Sequence, residues 1–428
     1  MSDPISVSQW SQEVSRNFAN LSQPQASGLA RYSLGIVLAQ GSGQSRVAQC
    51  VADLEEESWQ TIRQRLREWR NEAKAKKGTH RQEIRVQECF APLLSWVLSC
   101  LQSPEHQLVL ALDASSLSDR FVVLSISVMI RGCAIPVAWH IRPARAKGSW
   151  KPIWLRMLDQ LHEAVADSWE VFVLTDRGLY ARWLYRRIVS LHWHPFMRLN
   201  VGIKARPEGC KRGTPFEPVK RLVPRVGSQW SGKVTCFSSK DCRVHGTLLM
   251  RWEAGYKDPW IILTDQSCQN AQAGWYGLRS WIECGFKDFK GGGWNWQWSR
   301  IKDAGRMERI WLAMAVASVL VLVTGAQQEL HEPGPNLDHL PATHIARRNA
   351  SAARQRREAA RQAAWEKGEP EPRQPRQPRR ELSCFLRGNL LLCSHLFSLP
   401  SLGPLLLPME PLPSLSQLPV VGGFRGTG

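Results

Sequence analysis

LVLALDASSLSDRFVVLSISVMIRGCAIPVAWHI, residues 108–141, decides the fold class. Its apolar runs, LVLALD, FVVLSISVMI and AIPVAWHI, are rich in β-branched residues and carry no helical period, as buried strands do. The last two, separated by Arg131, Gly132 and Cys133, read as an antiparallel hairpin. Downstream, WKPIWLRMLDQLHEAV has helical periodicity, with Trp154, Leu158, Leu161 and Val165 on one side. EVFVLTD is a strand ending in Asp176, LYARWLYRRIVS a helix, and HPFMRLN a fifth strand. Three strands, a crossover helix, a strand, a helix and a strand predict an α/β core with a mixed sheet.

Working outward, residues 201–258 interrupt this order. They are rich in Gly, Pro, Lys and Arg and hold short β-like pieces (WSGKVTCFSS, GTLLMRWEA), so an inserted β subdomain is expected. The α/β pattern resumes with PWIILTD and a helix through Glu283 and Lys290, and the core is expected over 106–330. Residues 1–105 read as a helical domain. In it Ser58 is placed to cap SWQTIRQRLREWRNEAKAKK, whose Trp59, Ile62, Leu66 and Trp69 form an apolar stripe. The other face runs into Lys74, Lys76, Lys77 and Arg81, and serves equally as a DNA-end-binding surface or a solvated face. The apolar run Ile310–Val323 is short for a bilayer span and reads as a buried helix. Residues 331–428, first Arg/Pro-rich and then Leu/Pro-rich, are expected to stay out of the core and to be disordered alone.

The charge is unusual for the length. Among 428 residues, 56 Lys and Arg face 37 Asp and Glu, for +19. Such a surplus favours a polyanionic partner, because neutralising phosphates releases condensed counterions. A basic tail on a protein that never meets nucleic acid is the bland alternative. The 11 cysteines include no C-x-x-C pair, so neither a zinc ribbon nor a disulfide framework is suggested. With no basic and apolar leader in MSDPISVSQW, a cytoplasmic protein without a membrane partner is expected.

Asp113 and Asp176 each end an apolar strand, where open α/β sheets place ligands. Two such carboxylates suit Mg²⁺, which takes a few hard oxygens and keeps several waters. With two ions about 4 Å apart, one activates a water or a 3′-hydroxyl while the other stabilises the leaving oxygen. Either Asp taken alone serves as well as a helix cap. The third element is YGLRSWIECGFKDFK, residues 276–290. On an α-helix at about 100° per residue, Tyr276, Arg279, Glu283 and Lys290 share an arc of about 60°. Leu278, Ile282, Phe286 and Phe289 form the core-facing stripe, and Gly291, Gly292 and Gly293 end the helix. One face thus presents a carboxylate among three phosphate-binding donors, the set that phosphoryl transfer on DNA requires.

The spacing Y-x2-R-x3-E-x6-K, with LALDAS and LTDRG upstream, resembles the IS4 family of bacterial insertion-sequence transposases over roughly 106–325. The resemblance implies an RNase H-like catalytic core with a β insertion. It implies Mg²⁺-dependent cut-and-paste transposition through a DNA hairpin, by a dimer that pairs two element ends. Two Mg²⁺ ions, replaceable by Mn²⁺, would be held by Asp113, Asp176 and Glu283, and double-stranded DNA would be the partner. Tyr276, Arg279 and Lys290 would hold terminal phosphates. Trp260, which starts WIILTD, would stack on a flipped base or simply pack the strand edge, and Arg198 would meet the backbone. Trp294, Trp296, Trp298 and Arg300 are read as core rather than a DNA-facing loop. Asp265 stands where a less acidic residue is expected, as a bystander near the metals. The tail beyond about 345 has no place in the family pattern. A related nuclease that cuts without joining, and an inactive DNA-binding derivative, are the alternative readings.

Overall fold

The computed structural model describes residues 7–76, 81–211, 214–253, 256–331, 358–359, 362–363, 366, 382–394 and 406–408. The expectation for the Arg/Pro-rich stretch therefore falls almost wholly outside the described residues. Two compact units divide the chain: Met1–Val171, Ile282–Pro333 and Leu382–Glu410 in the first, and Phe172–Trp281 with the remaining tail in the second.

In the first unit, helices α1 (Val7–Asn17), α2 (Gln23–Ala39), α3 (Gln44–Glu55), α4 (Trp59–Arg70) and α5 (Phe90–Cys100) precede the sheet. Ser58 caps α4 as expected, its hydroxyl accepting from Thr61 N at 3.2 Å. Ile62, Leu66 and Trp69 are buried, while Trp59 is half-exposed with the Arg63 guanidinium over its ring. Strands β1 (Gln107–Leu117), β2 (Phe121–Ile130) and β3 (Cys133–Pro143) form an antiparallel meander, followed by α6 (Lys151–His162). Later in the chain come α8 (Trp281–Phe289) and α9 (Ala304–His331).

Helix α9 is the spine of this unit. It is long and apolar enough to cross a membrane, but most of it is buried against protein, with Met307 to Val323 almost fully enclosed. Burial lets a helix be apolar on every face. Two acids of α9 are paired. Glu308 Oε1 accepts from Ile141 N at 2.9 Å and lies 3.0 Å from His140 Nδ1, and its Oε2 accepts from Gln87 Nε2. Arg131 and Glu329 form a buried ion pair at 2.8 Å.

Residues 384–394, in the stretch expected outside the core, form helix α10 (Cys384–Ser394) packed on α9. Two glycines allow it. A Cβ on Gly325 would lie 2.0 Å from Cys384 O, and one on Gly388 would lie 1.9 Å from Val321 O. The helices therefore touch backbone to backbone, a fit that no side-chain periodicity in the tail reveals. Gly388→Ala should push α10 off α9 at a cost of about 1–3 kcal/mol, the usual range for overpacking. Limited trypsinolysis checks this: Arg387 in the variant should be cut well ahead of wild type, and equal rates would refute the interlock.

In the second unit, β4 (Glu170–Thr175, entered from the first) lies parallel to β5 (His194–Arg198), with α7 (Arg182–Ser190) between them in sequence. Strand β5 then pairs antiparallel with β10 (Trp260–Thr264). Four inserted strands extend the same sheet: β6 (Lys204–Pro207), β7 (Glu217–Pro218), β8 (Gln229–Cys236) and β9 (Val244–Arg251). Their order, outward from β10, is β9, β8, β6, β7, all antiparallel. The chain order β-β-β-α-β-α-β followed by an insertion is that of an RNase H-like α/β core, preceded by a helical region.

Candidate active site

In the second unit, Asp176 follows the last residue of β4. Its Oδ1 accepts from Gly178 N at 2.8 Å, which closes a tight turn and leaves Oδ2 pointing away. Arg279 Nη2 stands 3.8 Å from Oδ2, too far for a hydrogen bond and close enough for charge attraction. Because β5 runs parallel to β4, with Met197 opposite Thr175, Arg198 emerges at the same sheet end as Asp176. Its guanidinium lies 5.8 Å from the centre of the Tyr276 ring.

Tyr276 packs edge-on against Trp260, which in turn meets Tyr256, each pair at 5.6 Å. Trp260 is only 5% exposed, so its indole packs the strand edge in this structure. Burial pushes the Tyr276 phenol up to about 12, against the lowering pull of Arg279 and Arg198. The phenol therefore stays a proton donor at neutral pH. Its oxygen is buried with no hydrogen bond of ordinary geometry among the described residues.

Asp265 departs from expectation. Strand β10 runs antiparallel to β5, so Asp265 comes out at the end opposite Arg198 and Trp260. There it pairs with His194 Nδ1 at 3.1 Å. It is no neighbour of the Asp176 end, because the strand length separates the two.

The signature helix also differs from expectation. Residues Ala273–Ser280 are a 3-10 helix, and the α-helix starts only at Trp281. Gly274 and Gly277 weaken the α-helical preference of this stretch. At 3 residues per turn, Tyr276 and Arg279 still share a face. Within α8 and its C-terminal continuation, Glu283 and Lys290 are seven residues apart, close to two turns, and share a face as well.

In the first unit, β1 runs on to Leu117, so Asp113 sits mid-strand opposite Ser125 rather than at a strand end. The hairpin extends because Ala114–Leu117 keep pairing with Phe121–Leu124. Asp113 is half-buried, and its Oδ1 accepts from Ala114 N at 2.8 Å. Alternation puts Ser115 on the same strand face. Lys290 Nζ donates to Ser115 Oγ at 2.8 Å, and this brings the signature lysine beside the face that carries Asp113. Burial lowers the Lys290 ammonium from its ordinary range. Glu283 is exposed in the first turn of α8. A Cβ on Gly285 would meet Ala134 Cβ at 2.8 Å, so glycine is what lets α8 lie directly on β3.

Sequence reasoning missed Ser115, although the two-residue period from Asp113 marks it. It also missed the ion pair of Arg177 with Asp258, 3.2 Å, which ties the turn after β4 to the segment entering β10. Of the tryptophan cluster, Trp294 and Trp296 are core as expected, whereas Trp298 is 76% exposed and Arg300 is exposed too. Asn295 in the left-handed region, φ 54°, caps the 3-10 turn Trp296–Trp298, in which residues two apart face different ways, so Trp296 is buried and Trp298 is not.

Within α8, Asp288 carries a raised carboxyl, moved to about 7 by burial against a smaller lowering by Lys287. A folded-state value above the unfolded one favours the protonated form. Asp288 therefore costs nothing at low pH and costs progressively more as pH rises from about 4 to about 7. Asp288→Asn should remove that slope: denaturant midpoints of variant and wild type should coincide near pH 4 and separate, variant higher, by pH 7. A constant gap across that range would refute the burial effect.

Among the described residues, no three His, Cys, Asp or Glu side chains are gathered as a metal-holding cluster. No curated protein matches the chain. Residues 135–320 match the family described as Transposase DDE domain, a stretch from β3 into α9 that includes Asp176, Tyr276, Arg279, Glu283 and Lys290 and begins after Asp113. Together with the RNase H-like core that it accompanies, this match makes residues 135–320 similar to a transposase DDE domain.

Proposed function

We propose that the chain is an IS4-type transposase that excises its element through a hairpin intermediate and joins it to target DNA, acting as a dimer on two inverted-repeat ends. The observation that carries this reading is the Asp176 carboxylate with Arg279 at 3.8 Å and the buried Tyr276 ring under the Arg198 guanidinium. A nuclease that only hydrolyses has no need of an aromatic and cationic grip on the end nucleotide.

Asp113, Asp176 and Glu283 would hold divalent cations. Their donor set fits, since it consists of hard carboxylate oxygens, and the Asp176 oxygen facing Arg279 is not hydrogen-bonded to it. Bound Mg²⁺ would supply an activated water or 3′-hydroxyl and charge stabilisation for the leaving oxygen. Arg279 and Lys290 would hold the non-bridging oxygens of the scissile phosphate. Tyr276, protonated at neutral pH, would donate a hydrogen bond to the neighbouring phosphate. Arg198 orients that ring and offers its own charge to the backbone. Water cleaves the first strand, the freed 3′-hydroxyl attacks the opposite strand, and the reopened end attacks target DNA, so the same residues serve each transfer.

The test is incubation of purified protein with an end-bearing duplex, supercoiled plasmid and Mg²⁺ or Mn²⁺. Joined product is expected. Cleavage without joining would replace this reading with that of a nuclease, and binding without cleavage with that of an inactive derivative.

A further inference from the structure

The inserted strands carry a feature that the end-nucleotide grip does not use. Residues 201–258 hold 12 Lys and Arg against five Asp and Glu, so 58 residues supply +7 of the chain's +19. Strand register puts much of that charge on one face. Ala205 pairs with Glu217, which sets Phe216 opposite Arg206. On the next strand Arg206 stands opposite Thr235, and Thr235 opposite His245, a row confirmed by the 3.1 Å contact between their side chains. The two-residue period then adds Lys204, Lys233 and Arg243 to this face, while Ala205, Val234, Cys236 and Val244 are buried on the other. Lys204 and Lys233 are exposed. Glu208 is the one acid in the same row and lies opposite Lys233.

At the centre, Phe216 stands between two guanidiniums, Arg206 at 5.0 Å and Arg243 at 5.2 Å from its ring. Stacking on a ring fixes a guanidinium in orientation but uses none of its N–H donors, which radiate from the edge. Arg243 Nε is buried and hydrogen-bonded to none of the described residues. Arg206 has one long contact, Nη1 to Thr214 O at 3.5 Å. Two cations are thus held side by side with donors to spare, although neither is paired with a carboxylate in an ion pair among the described residues. Surface arginines without a task are usually solvated and mobile. These two are pre-oriented, and pre-orientation removes part of the entropy cost of gripping a phosphate.

We propose that the Arg206–Phe216–Arg243 stack, flanked by Lys204 and Lys233, is a phosphate-binding surface for duplex DNA, separate from the grip on the terminal nucleotides. This rests on the reading of the chain as a DNA-acting transposase. The stack contacts backbone only and reads no sequence, since a sheet face with stacked arginines presents charge rather than a base-edge code.

The experiment measures binding of the full chain to a fluorescent random-sequence duplex as a function of salt, with a single strand of equal length in parallel. Each lost phosphate contact lowers the slope of log affinity against log salt by about one. Arg206→Ala/Arg243→Ala should therefore lower it by about 2 and weaken duplex binding on the order of tenfold near physiological salt. Arg206→Lys/Arg243→Lys, which keeps the charge, should restore the slope. Phe216→Leu should weaken binding severalfold at unchanged slope, because it removes the orientation and not the charge. Arg16→Ala/Arg85→Ala controls for net charge with two exposed, salt-bridged arginines. An equal loss in that control, an unchanged slope in Arg206→Ala/Arg243→Ala, or a loss confined to the single strand each overturns the proposal. Wild-type protein that binds duplex but neither cuts nor joins would sink the transposition reading and leave this surface standing.

Discussion

Asp176→Ala should reduce cleavage of an element end by about a thousandfold or more, because removing a metal ligand gives up several kcal/mol of transition-state stabilisation. Duplex binding should change little. The side chain is one-third exposed, its Oδ1 takes a single backbone hydrogen bond, and no packed neighbour depends on it. Removing a carboxylate near Arg279 and Arg198 makes the local field more positive, which if anything favours a polyanion. Binding and catalysis should therefore separate, and single-turnover cleavage beside equilibrium binding reads both. Asp265→Ala makes the same charge change at the opposite sheet end, where its partner is His194, and should leave cleavage near wild type. If both variants lose activity equally, charge rather than ligation is the cause. If neither does, Asp176 has no part in the reaction.

The contrast between these two aspartates shows what the sequence could and could not carry. Each follows an apolar strand ending in Thr-Asp, and nothing local separates LTDRG from LTDQS. Strand direction separates them, and direction is set by pairing partners far along the chain. The strands themselves were legible, because buried β-branched runs between turn residues have few other conformations. The limits of β1 were not, since Ala114–Leu117 pair only because Phe121–Leu124 lie opposite. The periodicity of residues 276–290 puts Tyr276, Arg279, Glu283 and Lys290 on one face of a single α-helix. The 3-10 helix followed by an α-helix keeps Tyr276 with Arg279 and Glu283 with Lys290, but not all four on one helix. Helix α10 was hidden for another reason. Its fit depends on Gly325 and Gly388 meeting across 63 residues, and a glycine shows no preference for its partner. Trp298 was hidden among identical neighbours: composition marks four aromatic and basic positions, and only the 3-10 turn Trp296–Trp298, whose first and last residues face different ways, sorts the buried from the exposed.

Trp311→Ala should cost about 3–5 kcal/mol, the upper range for truncating a buried aromatic. Trp311 is fully buried on α9 and joins three other rings: Phe289 at 4.7 Å, Trp296 at 5.1 Å and Trp139 at 6.1 Å. Those rings belong to the last turn of α8, the loop after it and β3, so one side chain anchors three elements of the first unit. Its indole Nε1 is buried without a hydrogen bond among the described residues. The contribution of Trp311 is therefore packing alone, and the orphan N–H works against it by about 1–3 kcal/mol. Trp311→Phe keeps most of the ring contacts and deletes that donor, so it should cost less than half as much as alanine. Denaturant unfolding followed by near-ultraviolet circular dichroism would rank wild type, phenylalanine and alanine in that order, with the larger step at alanine. Equal costs would show that the indole makes a polar contact after all. Because Phe289 ends the helix bearing Glu283 and precedes Lys290, the alanine cavity should also loosen the Lys290–Ser115 contact. Cleavage by Trp311→Ala should then fall at temperatures where the protein is still folded, while Trp311→Phe cleaves as wild type does.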